Sequence, residues 1–155
     1  MNQRTWELGD ICEIFLQAEG RPDYFELHIT PENNRLQLHW PPDGLARFRG
    51  EQARLEDFTI SQPDWVESST EAGPEYWVAH AKITFDRLGI DPLAHPPALR
   101  TAVCRYDYGP NPTPVLSSTA PLREPNYHRT QEWQLLKLLP AGEARAGQQK
   151  SNGST

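Results

Sequence analysis

Four acidic residues stand in or beside apolar stretches of the 155-residue chain: Asp10 and Glu13 in DICEIFL (10–16), Glu26 in YFELHIT (24–30) and Asp107 in CRYDY (104–108). Two carboxylates facing each other across a groove can supply the acid and the nucleophile or base that cleave a glycosidic bond. Asp10 with Glu13, and Glu26 with Asp107, are the pairs to consider, yet neither spacing shows that the acids of a pair approach one another. No other catalytic pattern supports an enzyme, since GxSxG, HExxH, a phosphate-binding loop and a dinucleotide fingerprint are all missing. The histidines His28, His39, His80, His95 and His128 form no tight pair with a cysteine or with each other, so spacing yields no zinc site. The single methionine, Met1, leaves no Met/His pair for haem. A structural calcium held by loop carbonyls and carboxylates leaves little sequence trace, and the metal question stays open. Cys12 and Cys104 lie inside apolar strand-like runs; each reads as a buried free thiol, with a disulfide between neighbouring strands as the other reading.

The aromatic residues suggest different chemistry. Trp6, Trp40, Trp65, Trp77 and Trp133 are joined by five tyrosines. A sugar ring has apolar C–H faces and polar edges, so a flat aromatic surface with charged or amide groups beside it suits a carbohydrate. Trp40, Trp77 and Trp133 run in phase with apolar neighbours and read as core, whereas Trp6 precedes the first apolar run and has no such phase.

These side chains have to be positioned by strands. Period-two alternation recurs at 10–16, 24–30, 35–40, 64–71, 75–85, 99–108 and 132–139, and PENN (31–34) makes a turn between the second and third. In YFELHIT, Phe25, Leu27 and Ile29 would face one way, and Tyr24, Glu26 and His28 the other. FDRLGI (85–90) is the one helix-like piece, worth a single turn. The pattern predicts an all-β fold, an antiparallel β-sandwich of immunoglobulin- or jelly-roll-like type, with one face of each sheet in the core and the other in water. Residues 1–140 form this domain, and 141–155, almost devoid of large apolar side chains, read as a disordered tail.

A chain of this length supports one core-bearing domain. Fifteen prolines against ten glycines favour turns and edges over long helices. The formal charge of −6, a pI near 5.3 and a mean hydropathy of −0.71 exclude a basic nucleic-acid-binding surface. No apolar run approaches a membrane span, and the N-terminus has no signal-peptide pattern.

W…GDICEIF, DYFELHITP, CRYDY and PNYHRTQEWQLLKL, in that order across residues 6–139, resemble the carbohydrate-binding modules of family 9 and the wider family 9-like domains. The resemblance implies a DOMON-related β-sandwich that binds a mono- or oligosaccharide without catalysis, as a present or former companion of a glycoside-active enzyme, and it suggests an extracytoplasmic location. Trp6 matches the stacking aromatic, Glu13 the strand carboxylate and Arg105 the arginine of an R-x-D element. Asn126, Tyr127 and His128 fall in the segment that resembles the family's C-terminal binding loop. A second clamping aromatic is expected near VLSSTAPL (115–122), where this chain has serine and threonine, with Tyr127 as its substitute. The family's first strands have no counterpart before Trp6, which implies an incomplete sandwich and self-association through exposed sheet edges. In the carbohydrate reading Glu13 and Arg105 serve different hydroxyls of one ring; the plainer reading pairs them with each other across the sheet. An interaction or assembly sandwich that has lost sugar binding is the alternative function.

Overall fold

The alternation seen in the sequence becomes a six-stranded antiparallel sheet with a separate two-stranded hairpin. The computed structural model describes residues 2, 4–91, 98–109 and 113–137; His95 and the tail at 141–155 lie outside the described residues. Strands β1 (Ile11–Ala18), β2 (Tyr24–Ile29) and β3 (Arg35–Trp40) are followed by a short helix α1 (Gly44–Arg49). Then come β4 (Glu67–Ala72), β5 (Trp77–Lys82), β6 (Ala98–Asp107), β7 (Val115–Ser118) and β8 (Gln134–Lys137). The large sheet runs β3-β2-β1-β6-β7, and β4 pairs with β5 in the small one. The free edge of β6 is shared: Cys104–Asp107 pairs with β7, and Ala98–Thr101 pairs with β8.

Tight turns set the register. Arg21 N donates to Ala18 O (3.1 Å), and Gly20 takes φ +81 at the bend, where a side chain would be strained. Asn33 occupies the left-handed region (φ 59) in the turn into β3, which asparagine tolerates better than most residues. These turns place Glu13 opposite His28, Phe15 opposite Glu26 and Tyr24 opposite Trp40. On the other side of β1, Glu13 stands opposite Cys104 and Cys12 opposite Arg105.

Residues directly opposite in an antiparallel pair share a face, and that face alternates along each strand. One face of the large sheet therefore carries Glu13, Phe15, Glu26, His28, Leu38, Trp40 and Cys104. Phe15, Leu38, Trp40 and Cys104 pack there with Leu55, Phe58, Tyr127 and Trp133, and Trp6, Leu45 and Phe48 lie against the same cluster. The opposite face carries Leu27, Ile29 and Leu99 and is covered by Trp65, Val66, Leu88 and Ile90. Ala79 and Ile83, from β5 and just beyond it, also pack there, so the small sheet lies over the large one. The architecture is an all-β antiparallel sandwich with almost no helix.

Several expectations need correction. Water does not wet one face of β2: five of its six residues are buried, because the loop at 120–133 and α1 cover one side while the β4–β5 hairpin and the turn at Phe85–Leu88 cover the other. That turn is helical as expected, but it is not the only helical piece. Helix α1 forms in the Pro- and Arg-rich connection because Leu45 and Phe48 can pack on the core beside Trp40 and Phe58, a tertiary gain that local propensity does not show. Strand β7, within the segment expected to hold a clamping aromatic, follows no strong alternation and owes its strand to pairing with β6. Trp40 and Trp133 are buried, but Trp77 is only half-buried on the mostly exposed hairpin. Cys12 and Cys104 are both free; their neighbouring positions on paired strands send the two side chains to opposite faces, which precludes a bridge.

Asp23 holds the β1–β2 connection. Arg21 Nε and Nη2 donate to its two oxygens at 2.8 and 2.7 Å, and His39 Nε2 lies 2.8 Å from Oδ2. The Arg21 guanidinium, aided by His39, outweighs burial and holds the Asp23 carboxyl well below its ordinary value. A depressed folded value means stability that is present above the unfolded value and lost as pH falls toward the folded one. Urea denaturation of wild type should therefore lose stability relative to Asp23→Asn on acidification below about pH 4, and the gap between them should be widest near neutral pH.

Candidate functional site

The register of β1 and β2 concentrates ionisable groups on the covered face of the sheet. Glu13 (5% exposed), Glu26 (4%) and His28 (1%) are all buried there. His28 Nε2 donates to Glu26 Oε1 at 2.6 Å and lies 3.4 Å from Glu13 Oε1. Its other nitrogen, Nδ1, is hydrogen-bonded to the buried Thr5 hydroxyl at 2.7 Å. Trp40 Nε1 donates to Glu26 Oε2 at 2.6 Å, so both oxygens of Glu26 are engaged. His128 Nδ1 stands 3.8 Å from Glu26 Oε2 and 2.8 Å from the Tyr24 hydroxyl.

Burial penalises the charged form of each group, and neighbouring charges decide the outcome. The Glu13 carboxyl is pushed up to about 7 by burial, with Glu26 reinforcing the rise against the pull of His28. Burial would also raise Glu26, but the His28 hydrogen bond and charge, with help from His128 and Trp40, bring it below the ordinary range. His28 moves the other way: burial opposes its charge, yet Glu13 and Glu26 together raise it. Burial holds His128 below its ordinary value. Burial likewise pushes the Tyr106 phenol up to about 12.

Above these groups lies a cavity of about 390 Å³ bordered by Trp6, Glu13, Glu26, His28, Trp40, Phe48, Arg49, Tyr106, Tyr108, Asn126, Tyr127 and His128, among others. Its size is within the range of small-ligand pockets, about 300–1,000 Å³. The floor comes from β1–β3. The walls come from the turn Thr5–Glu7, from α1, from the end of β6 and from the loop at 125–128. Trp6 is half-buried and meets His28 edge to face at 5.9 Å. At the rim, Arg49 Nη2 donates to Asn126 Oδ1 (3.3 Å), which also accepts from His128 N (3.2 Å).

Of the six residues expected at a binding site, Trp6, Glu13, Asn126, Tyr127 and His128 border this cavity. Arg105 does not. It stands opposite Cys12, on the face away from Glu13, and pairs with Asp107 Oδ2 (3.0 Å) and Asp10 Oδ2 (3.8 Å). Glu13 and Arg105 thus lie on opposite faces of the sheet and do not pair with each other, because adjacent positions along a strand point to opposite faces. The cation at the cavity is Arg49, which lies in a segment with no strand periodicity to mark it. Tyr127 is held in the core, its hydroxyl donating to Arg105 O at 3.0 Å and its ring set edge-on to Tyr106. Neither carboxylate pair considered from the sequence forms: Asp10 and Asp107 go to Arg105, with Asp10 also accepting from Tyr108 N at 2.7 Å, and Glu13 meets Glu26. The i, i+2 spacing of Glu26 and His28 on a strand was the available signal that these two share a face.

Glu13, Glu26 and His28 each present a ligand atom within 4.8 Å of the others, the one such grouping of His, Cys, Asp or Glu among the described residues. The arrangement can accept hydrogen bonds on carboxylates, stack a ring on Trp6 and donate from Arg49, Asn126 and the tyrosine hydroxyls.

No protein-family model matches the chain, and no curated protein matches it. Among solved structures, a protein of Bacteroides uniformis provisionally described as carbohydrate-binding shares the fold, with a TM-score of 0.63 and 16% identity over 89% of this chain. The match covers 64% of that protein's chain, so the present chain spans less than two-thirds of its length.

A carboxyl that takes up its proton more readily in the folded state contributes stability at low pH and loses it as pH rises from the unfolded value of 4.5 through about 7. Glu13→Gln cannot ionise. With a chelator present to keep cations off the carboxylates, it should overtake wild type in urea denaturation as pH rises to 8, by about 1–3 kcal/mol.

Proposed function

We propose that the chain is a non-catalytic carbohydrate-binding domain of the family 9-like type, and that the cavity beside Trp6 takes the sugar. The observation that carries this reading is the pairing of a half-buried tryptophan with a buried carboxylate on one small cavity. Trp6 offers a flat face for sugar C–H groups, and Glu13 borders the same space with acceptor capacity for a hydroxyl. Arg49, with Asn126, supplies the complementary donors, the role that sequence resemblance gave to Arg105. The Bacteroides uniformis protein, similar in fold, adds support through its own description.

Catalysis on a glycoside is disfavoured by the state of Glu26. Its two oxygens are committed to His28 and Trp40, so it is not free to attack an anomeric carbon or activate water opposite Glu13. The geometry suits recognition better than turnover. Edge strand β7, with Val115 and Leu116 exposed, supports the further reading that copies associate through a sheet edge. Size-exclusion chromatography should then show a dimer that Val115→Lys converts to monomer; a monomeric wild type overturns it.

Titration of tryptophan fluorescence with a panel of mono- and oligosaccharides tests the main reading. Saturable quenching is expected, weakened at least about thirtyfold in Trp6→Ala, the loss of roughly 2 kcal/mol typical of a central aromatic contact. Thermal unfolding of the variant should stay cooperative. A folded wild type that responds to no sugar, or an affinity unchanged by Trp6→Ala, would move the reading to the interaction-domain alternative.

A further inference from the structure

We propose that Glu13, Glu26 and His28 form the protein half of a site for a divalent transition cation of the zinc class, with the open coordination positions turned to the cavity. This goes beyond sugar binding and does not depend on it.

The three ligands are of types that zinc takes, one imidazole nitrogen and two carboxylate oxygens, with the remaining position left to water or a ligand. His28 Nε2 already lies 2.6 Å from Glu26 Oε1 and 3.4 Å from Glu13 Oε1. Ligands around a tetrahedral zinc at about 2.0–2.2 Å stand roughly 3.4 Å apart. Seating the ion therefore asks the Glu26–His28 contact to open by under about 1 Å. Charge favours the same ion. In their metal-binding forms the two carboxylates and the neutral imidazole together carry −2, and a divalent cation neutralises them.

Groups outside the cluster give an independent reason. Metal-bound histidines donate their second N–H to an oxygen, and metal-bound carboxylates are themselves hydrogen-bonded. Thr5 Oγ1, fully buried, stands 2.7 Å from His28 Nδ1 and is the acceptor needed when Nε2 holds metal. Trp40 Nε1 fixes the far oxygen of Glu26. Glu13 provides the second observation. It is 5% exposed and borders the cavity, yet its contact with His28 is a long 3.4 Å, and its other ionisable neighbour, Glu26, is a second carboxyl. A closed Glu26–His28 ion pair accounts for two of the three side chains and leaves Glu13 poorly satisfied, which is costly for a buried acid. A cation accounts for all three. Calcium and magnesium fit less well, because calcium wants six to eight oxygens and both prefer oxygen to imidazole.

The test is a calorimetric titration of chelator-stripped full-length protein with zinc chloride, repeated with cobalt(II) to read the visible absorption of the bound ion. One ion per chain is expected, with a cobalt spectrum of low-symmetry nitrogen and oxygen coordination. Affinity should fall at least about a hundredfold in Glu13→Gln, and about ten- to hundredfold in Thr5→Val, which removes the acceptor for His28 while leaving the ligands in place. Zinc should also raise the Tm of wild type and not that of Glu13→Gln. Glu13→Gln keeps the side-chain volume and the Glu26–His28 pair, so it remains folded for the comparison. Absence of saturable binding at micromolar zinc overturns the proposal, as does equal affinity in wild type and Glu13→Gln, which would assign the ion to surface histidines such as His80. The zinc readout involves no sugar, so it fails or succeeds separately from the fluorescence titration.

Discussion

The Glu26–His28 ion pair, buried at the centre of the large sheet, is the constraint around which the rest of the structure is arranged. Taking two charges out of water costs several kcal/mol per ion and is tolerated only where the remaining lone pairs and protons find partners. Here Trp40 takes the far oxygen of Glu26, and Thr5 takes the far nitrogen of His28. Each partner belongs to a different piece of chain, Thr5 to the segment before β1 and Trp40 to the end of β3. Breaking either contact leaves a buried charge partly unsatisfied, and loss of one member of such a pair costs about 3–5 kcal/mol. The pair thus ties the N-terminal turn, β2 and β3 into one unit.

Glu13 makes that unit a candidate site. It enters from β1, opposite His28, and adds a third ionisable group where two are already balanced. The imbalance is what the cavity exposes to a ligand: a sugar hydroxyl or a cation would each supply what the protein around Glu13 does not. The floor lies on three hydrogen-bonded strands and is stiff, whereas Trp6, Arg49 and the loop at 125–128 form walls carried on turns and a short helix. A rigid floor with adaptable walls is a common division of labour in binding domains, because strands hold a few polar groups in place while loops fit the rest.

The other face shows what a small shift of position does. Arg105 stands one residue beyond Cys104, the register partner of Glu13, and so points away from the cavity into a pairing with Asp107 and Asp10. The arginine that borders the cavity is Arg49, which the chain brings back over the sheet through α1. The helix is short, and what anchors it is the packing of Leu45 and Phe48 against the aromatic core around Trp40 and Phe58.

Read alone, the sequence determined most of the strands and their faces. Alternation in DICEIFL, YFELHIT and RLQLHW located β1, β2 and β3, and it put Tyr24, Glu26 and His28 on one side, because side-chain direction along a strand follows from period two without knowledge of the neighbours. A family resemblance, not periodicity, singled out Trp6 and Glu13, and both border the cavity. Only the tertiary structure decided which residues meet. Register between strands comes from turn geometry and from packing of both faces, so Glu13 against His28, and Arg105 away from both, could not be read from spacing. The same holds for burial: periodicity predicted one wet face, and whether loops and a helix come to cover it depends on long-range contacts that leave no local pattern. That cover buries Glu13, Glu26 and His28 beside a cavity, and it turns three ordinary side chains into a candidate site.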